Sequence, residues 1–111
     1  MAINKELLKG STPLLILSVL RDETLHGYEI AKRIKARSSG ILESKEGSLY
    51  PALHKMESLG YLKAEWQTVN GRDRKYYTIT SKGADALHGL VTEWSTFKGA
   101  IDGTLAAAQA Q

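Results

Sequence analysis

The spacing of apolar residues predicts four helices before Gly60. Their approximate bounds are 4–9, 13–21, 26–38 and a fourth helix that ends at about residue 59. Asn4 suits the N-cap of the first helix, and Thr12 and Pro13 suit the N-cap and first position of the second. The second helix is apolar almost all round, so we expect it to be buried from more than one side.

The fourth helix has two unlike faces. Leu49, Leu53, Met56 and Leu59 recur at helical spacing and form an apolar stripe that faces a core. The outward side carries Gly47, Tyr50, Pro51, His54, Lys55 and Ser58. Two starts stay open for this helix: Ser44 as cap would place Pro51 inside the helix, where proline is unfavourable, and Ser48 would place it in the tolerated first turn. The polar and aromatic outward face suits contact with base edges.

After Gly60, which suits the left-handed residue that ends a helix, the apolar period changes to that of a strand. Leu62, Ala64 and Trp66 alternate with Lys63, Glu65 and Gln67. Asn70-Gly71 is a strong signal for a two-residue hairpin turn, and the return strand spans about 74–80. A two-stranded hairpin is marginally stable alone, so it must pack on the helices. We expect Tyr28 and Trp66 in the core.

A last helix is predicted from about Lys82 into the alanine-rich tail, with Thr80 or Ser81 as its cap. Its apolar positions are Leu87, Leu90, Val91, Trp94, Phe97, Ile101 and Leu105. They repeat at close to 3.5 residues and therefore form a seam that requires a partner helix.

Three helices followed by a β-hairpin are the plan of a winged helix-turn-helix. The predicted fold class is therefore mainly α with a small β-hairpin (α+β). We expect a winged helix-turn-helix DNA-binding domain with an N-terminal helix at 1–81 and a C-terminal dimerisation helix at 82–111.

The composition is that of one small cytoplasmic domain. The chain has 111 residues, of which 42% are hydrophobic and 24% are charged. It has no cysteine, which excludes disulfides, thiolate metal sites and cysteine nucleophiles. No apolar run approaches the roughly 20 residues that span a bilayer, and the first residues lack the layout of a signal peptide. A cytoplasmic protein is the simplest interpretation.

Positive charge is concentrated in the middle of the chain. Residues 26–82 contain eleven basic and six acidic residues, a net charge of +5, whereas the whole chain carries +3. This asymmetry favours a polyanion as the partner of the middle section, and a solvated surface is the alternative. Double-stranded DNA fits the predicted fold best, because its major groove admits one helix.

The candidate DNA contacts lie on three elements of the predicted fold. The outward face of the fourth helix would enter the major groove with Ser48, Tyr50, Pro51, His54 and Lys55. The hairpin would reach phosphates or the minor groove with Arg72, Arg74 and Lys75. The preceding helix would add DNA-backbone contacts from Lys32, Arg33 and Lys35.

Three motifs in these elements resemble the PadR-like transcriptional regulators. The motifs are LHGYEI at 25–30, GSLYPALHKMESLG at 47–60 and GRDRKYYTITSKG at 71–83. The length resembles that of the short subgroup, which has a single C-terminal helix. The resemblance implies a homodimeric repressor that binds a roughly palindromic operator, with the last helix paired across the dimer. Asp73 departs from the pattern, since many members have a basic residue there, and this implies a weaker grip on DNA.

The resemblance also implies an effector site. Multidrug-responsive members carry a tryptophan at the position of Trp94, where it stacks on flat aromatic drugs at the dimer centre. A small aromatic or hydrophobic effector would then bind around Trp94, with Phe97, Val91 and Leu17 as neighbours. Packing of Trp94 in the dimer interface is the alternative that we favour, because aromatic residues in such seams usually pack.

Other classes of function fit the sequence less well. A winged-helix module that binds proteins without DNA predicts a neutral or acidic recognition face, which the charge of the middle section disfavours. An enzyme is rejected, because no Ser/His/Asp grouping, phosphate loop or carboxylate pair is visible. His26, His54 and His88 lie on different elements without the spacing of metal ligands, so we expect neither a metal nor a cofactor.

Overall fold

A computed structural model describes residues 3–109, so the predicted chain ends at 1–2 and 110–111 lie outside the described residues. In chain order the elements are α1 (Lys5–Lys9), α2 (Thr12–Val19), β1 (Leu25–His26), α3 (Gly27–Arg37), α4 (Glu46–Ser58), β2 (Leu62–Val69), β3 (Arg72–Ile79) and α5 (Ser81–Gln109). The strands form one antiparallel sheet in the order β1-β3-β2. The predicted fold class is confirmed, with three strands in place of two; the hairpin of β2 and β3 is the wing.

The hydrophobic core lies between α2, α3, α4, one face of the sheet and the start of α5. Its largest fully buried side chains are Ile16, Leu17, Leu20, Ile30, Leu49, Leu53 and Tyr77. The nearly continuous apolar surface of α2 explains its central place, because only a helix enclosed on several sides can bury such a surface. The stripe predicted for α4 is buried as far as Met56. Leu59 is exposed, because it is the C-cap residue, where the helix ends.

The starts of the first two helices follow the predicted chemistry with one shift. Asn4 caps α1, since its Oδ1 accepts the N–H of Glu6 at 2.9 Å. The cap of α2 is Ser11, one residue before the prediction. Thr12 lies inside the helix because its side chain is buried and its hydroxyl donates to the carbonyl of Leu8 at 3.3 Å.

The start of α4 matches neither of the two predicted caps. Its cap residue is Lys45, which makes no side-chain capping bond, and the carbonyl of Lys45 accepts the N–H of Leu49 at 2.9 Å. Pro51 therefore lies inside the helix and leaves the carbonyl of Gly47 without its usual helical donor. Gly47 is exposed, so water can satisfy that carbonyl, and this reduces the cost of the proline.

Gly60 ends α4 as predicted. Its φ of 81° is left-handed, a conformation that glycine adopts without steric cost. The N–H of Gly60 donates to the carbonyl of Glu57 at 3.0 Å, and the N–H of Tyr61 donates to the carbonyl of Met56 at 2.9 Å. These two bonds form a Schellman motif, which directs the chain from α4 into the wing.

The predicted hairpin turn of the wing is confirmed. Val69 pairs with Arg72, so Asn70 and Gly71 form the two-residue loop. Their φ angles are 52° and 76°, as a type I′ turn requires.

The strand β1 was not predicted. It pairs Leu25 with Tyr77 and His26 with Tyr76, and so ties the start of α3 to the wing. A strand of two residues shows no alternation of polar and apolar positions, so the sequence pattern cannot reveal it.

α5 is anchored at its first turn and exposed over most of its length. Of the two predicted caps the structure uses Thr80, whose Oγ1 accepts the N–H of Gly83 at 3.0 Å. The N–H of Thr80 donates to the carbonyl of Tyr61 at 3.0 Å. The helix packs against α2 and buries Leu87, but every residue from 91 to 109 is exposed. Among the described helices, none combines the length and hydropathy needed to cross a membrane.

Candidate nucleic-acid interface

The outward residues predicted on α4 lie together on its exposed side. They are Ser48, Tyr50, Pro51, His54 and Lys55. The opposite side of α4 is held in the core, so this strip of about two turns has a fixed orientation. His54 and Lys55 follow Tyr50 by about one turn and are exposed as it is, so the strip combines hydrogen-bonding groups with an aromatic ring, a mixture that can contact both base edges and sugars.

A buried glycine fixes the position of Tyr50. The ring of Tyr50 lies against Gly27, where an added Cβ atom would come within 2.9 Å of Cε1 and 3.0 Å of the hydroxyl oxygen. The absence of a side chain at Gly27 therefore lets the tyrosine lie across the start of α3. Tyr50 remains 37% exposed, so part of its side chain faces solvent between α3 and α4.

Arg72 and Lys75, two of the three cations predicted on the wing, differ from each other in their surroundings. Arg72 is exposed beside the turn. Lys75 is directed inward, and its Nζ donates to Oε1 of Glu57 on α4 at 3.0 Å. This hydrogen bond raises the pKa of Lys75 above its usual value. Lys75 therefore connects the wing to α4, while Arg72 is available to a partner.

The third wing cation, Arg74, lies against His26 because β1 pairs with β3. The Nη1 atom of Arg74 is 3.1 Å from Nε2 of His26. His26 also caps α3, since its Nδ1 accepts the N–H of Glu29 at 3.4 Å. Burial and the charge of Arg74 lower the pKa of His26 below its usual value of 6.5. The imidazole is neutral at neutral pH, so it does not offset the charge of Arg74.

The basic residues predicted on α3 each face a carboxylate. The pairs are Lys32 with Glu29 at 3.5 Å, Arg33 with Glu23, and Lys35 with Glu43 at 3.8 Å. Glu23 and Glu43 lie in the loops before and after α3, so no helical spacing in the sequence reveals their pairs. Surface pairs are weak and all three cations stay accessible, but part of their charge is offset locally.

Two aromatic residues predicted for the core are exposed, so that prediction was wrong. Tyr28 and Trp66 expose 62% and 68% of their surfaces. The wing extends beyond the core, so Ala64 still packs against the core and Trp66 lies past its edge. Tyr28 is the second residue of α3 and lies outside the core beside His26, their ring centroids 6.4 Å apart.

These aromatic residues line a cleft that the sequence did not reveal. It lies between α3, α4 and the wing, has a volume of about 340 Å³ and is open to solvent. We call it the wing cleft; its lining includes Tyr28, Tyr50, His54, Trp66, Asp73 and Arg74.

A second cleft of about 390 Å³ lies where α5 crosses α1 and α2. Its apolar lining consists of Leu7, Pro13, Leu14, Leu90, Trp94 and Phe97. The rings of Trp94 and Phe97 have centroids 6.0 Å apart, tilted by 41°. The carboxylates of Glu6 and Glu93 also line this cleft, which we call the α5 cleft.

The α5 cleft contains two of the four residues predicted around an effector. Trp94 and Phe97 line it, whereas Val91 and Leu17 do not. Leu17 is completely buried in the core, so a ligand cannot reach it in this structure. Leu14, one turn earlier on α2, takes its place in the lining.

A helix α4 with one exposed side, a wing with cations and a long C-terminal helix define the class: a winged helix-turn-helix protein. The sequence profile of the "Transcriptional regulator PadR-like family" matches residues 16–89. The chain belongs to this family, and the resemblance of its three motifs is confirmed. The family consists of transcriptional regulators, so the protein is a transcriptional regulator and not an enzyme.

Individual relatives agree with this assignment. A transcriptional regulator from Clostridium thermocellum, Cth-833, has a TM-score of 0.82 and 31% identity, over 88% of this chain and 96% of that chain. "Transcriptional regulator Rv3488" of Mycobacterium tuberculosis is 31% identical over 83 residues, 75% of each chain. Bacillus subtilis PadR in complex with operator DNA has a TM-score of 0.65 and 28% identity, over 71% of this chain and 45% of that chain.

Proposed function

We propose that the protein is a homodimeric repressor that binds an inverted-repeat operator in double-stranded DNA and is released by a small aromatic or hydrophobic effector. The observation that carries this proposal is the exposed face of α4 beside the wing, in a family of transcriptional regulators. The relative from B. subtilis is a negative transcriptional regulator and its structure holds operator DNA. That relative supports both the partner and the direction of regulation.

Residues 1–81 would form the DNA-binding unit. α4 enters the major groove, where His54 and Lys55 donate to base edges and Tyr50 contacts the flanking backbone. Arg72 and Arg74 on the wing bind phosphates or reach the minor groove. Lys75 contributes mainly by holding the wing against α4 through Glu57.

Residues 82–111 would form the dimerisation unit. The exposed seam consists of Val91, Trp94, Phe97, Ile101 and Leu105, which expose between 43% and 52% of their surfaces. An apolar row of this length is unfavourable in water, and a second copy of α5 with the same repeat would cover it. A two-fold axis between the copies relates the two α4 helices, so the operator would be an inverted repeat with half-sites about 34–36 Å apart.

The α5 cleft supports the effector part of the proposal. It combines the rings of Trp94 and Phe97 with the carboxylates of Glu6 and Glu93, a lining that suits a flat aromatic molecule with a positive charge. Trp94 and Phe97 belong both to this cleft and to the seam of α5, so a ligand in the cleft would favour one spacing of the α4 helices and DNA another. Each would then weaken the binding of the other by the same factor.

The first test is selection of random-sequence duplexes by the purified protein, followed by sequencing, which is expected to recover an inverted repeat. His54→Ala and Lys55→Ala should relax the sequence preference, because each removes a donor to base edges worth about 1–3 kcal/mol of discrimination. Arg74→Ala should weaken binding to all sequences and flatten the slope of log affinity against log salt by about one unit.

Two results of this selection would count against the proposal. Retention without a consensus, or no retention at low salt, would favour a winged-helix module that binds proteins. Unchanged sequence preference in the His54 and Lys55 variants would mean that another surface reads the bases.

Trp94→Ala is expected to lower the affinity for ethidium, a flat aromatic cation, by about tenfold when the protein is titrated without DNA. The substitution removes the larger ring of the α5 cleft, and dye fluorescence measures the affinity. Thr92→Ala is the control, because Thr92 lies on the other side of α5. Equal ethidium affinity in the wild-type protein and the Trp94 variant would refute the effector site.

A further inference from the structure

The geometry of DNA places a strand opposite the wing cleft. The major and minor grooves of a duplex are separated by one sugar–phosphate strand. If α4 lies in the major groove and the wing tip reaches the adjacent minor groove, the surface between α4 and the tip must face that strand. The wing cleft is this surface, since it lies between α3, α4 and the wing.

We propose that the wing cleft binds this sugar–phosphate strand. Tyr28, Tyr50 and Arg74 hold a phosphate, and the indole of Trp66 packs against a deoxyribose. The proposal rests on the DNA-binding function proposed above. It assigns a role to Tyr28 and Trp66, which the sequence pattern placed in the core.

The lining of the wing cleft favours hydrogen bonding over charge. Tyr28 and Tyr50 bring hydroxyl groups, and His54 and Trp66 bring ring N–H groups or acceptors. Phosphate oxygens accept hydrogen bonds from neutral side chains of this kind as well as from arginine and lysine. Aromatic side chains also lose little conformational entropy on binding, because they have only two rotatable side-chain bonds.

Of the two cations that line the cleft, Lys75 is paired with Glu57 at 3.0 Å, which leaves Arg74 for a phosphate. Asp73 accepts the hydroxyl of Thr68 at 2.6 Å but keeps its negative charge, which disfavours a phosphate next to it. Arg74 has the neutral ring of His26 as its neighbour, so its guanidinium keeps its full charge for a phosphate. The cleft should therefore add affinity with little dependence on salt beyond the contribution of Arg74.

The exposure of the aromatic residues identifies the occupant as an extended strand. Tyr28 on α3 and Trp66 on β2 both line the open cleft, and they expose 62% and 68% of their surfaces. A pocket for a small ligand buries most of its lining and of its ligand. A strand that passes through the cleft would instead cover both rings from the outside, while Tyr50, held against Gly27, forms a fixed floor.

The test measures the affinity for a labelled duplex of mixed sequence by fluorescence anisotropy over a series of salt concentrations. Tyr28→Phe should lower the affinity about tenfold at every salt concentration, because a hydrogen bond to a charged group is lost. The slope against log salt should stay unchanged, since the lost donor is neutral. Tyr61→Phe, which removes a hydroxyl beyond the far end of α4, is the matched control and should bind as the wild type does.

The emission of Trp66 provides an independent reading. The chain has two tryptophans, so the titration uses Trp94→Phe, in which Trp66 is the remaining tryptophan, and DNA should change its emission. The strand site is overturned if Tyr28→Phe binds as the wild type does, if its salt slope falls, or if DNA leaves the emission of Trp66 unchanged. If any of these results is found while the wild-type protein still binds DNA, only the strand site fails and the proposed function stands. Failure of the wild-type protein to bind any duplex at low salt would overturn both proposals.

Discussion

Replacing Phe97 and Ile101 together by glutamate is expected to convert the proposed dimer into monomers and to weaken operator binding by at least about 100-fold. Both side chains lie in the exposed seam of α5. A second copy of α5 would bury them, and a buried carboxylate without a partner costs several kcal/mol. A monomer can occupy one half-site only, so it loses the contribution of the second half-site.

Analytical ultracentrifugation measures the oligomeric state of this variant, and a gel shift measures its affinity for the operator. The core should survive, because α5 packs into it through Leu87 and every residue from 91 to 109 is exposed. Thr92→Glu with Thr96→Glu adds the same charge on the opposite side of α5 and should leave the dimer intact. A variant that remains dimeric would show that the seam is not the interface. A monomer with undiminished operator affinity would show that the protein does not need two half-sites.

Gly83→Ala is expected to destabilise the protein by about 3 kcal/mol or more. A Cβ atom at residue 83 would overlap the carbonyl oxygen of Tyr61 and come within 2.9 Å of Cγ1 of Ile79. The carbonyl of Tyr61 also accepts the N–H of Thr80 at 3.0 Å. This hydrogen bond holds the carbonyl of Tyr61 in place. The overlap with an added Cβ atom can therefore be removed only if the first turn of α5 moves away from the start of β2.

Gly89→Ala is the matched control for this prediction. Gly89 lies in the same helix, and an added Cβ atom would have no neighbour within 4 Å. Alanine has the higher helix propensity, so this variant should be more stable by about 1 kcal/mol. Denaturant unfolding followed by circular dichroism, at equal protein concentration, measures both changes. A Gly83→Ala variant as stable as the wild type would contradict the close contact between α5 and Tyr61.

The exposed face of α4 could be predicted from the sequence because its signals are local. The helical period separates Leu49 and Leu53 from His54 and Lys55 within two turns of one helix. The turn of the wing was predicted in the same way, since Asn70 and Gly71 are themselves the residues with positive φ. The start of α4 was not predicted. Pro51 is tolerated inside the helix because Gly47, whose carbonyl loses its helical donor, is exposed, and this exposure is known only from the folded structure.

The charge and exposure of the candidate site could not be predicted, because they depend on distant residues. The charge of Arg74 is not compensated by its neighbour His26. His26 lies 48 positions earlier in the chain, and the pairing of β1 with β3 brings it next to Arg74. Lys75 is hydrogen-bonded to Glu57, which lies on another element 18 positions away. Trp66 follows the alternation of a buried strand, yet it is exposed because the core ends before it.

Local chemistry along the chain was sufficient for the helices, the wing turn, the apolar seam and the family motifs. Each of these depends on residues a few positions apart, whose spacing sets the face on which a side chain lies. The third strand, the two clefts and the pairing of the cations became known only from the tertiary structure, because they depend on long-range packing. Burial and pairing are properties of the neighbours that folding brings together, and the spacing of residues along one element carries no record of them.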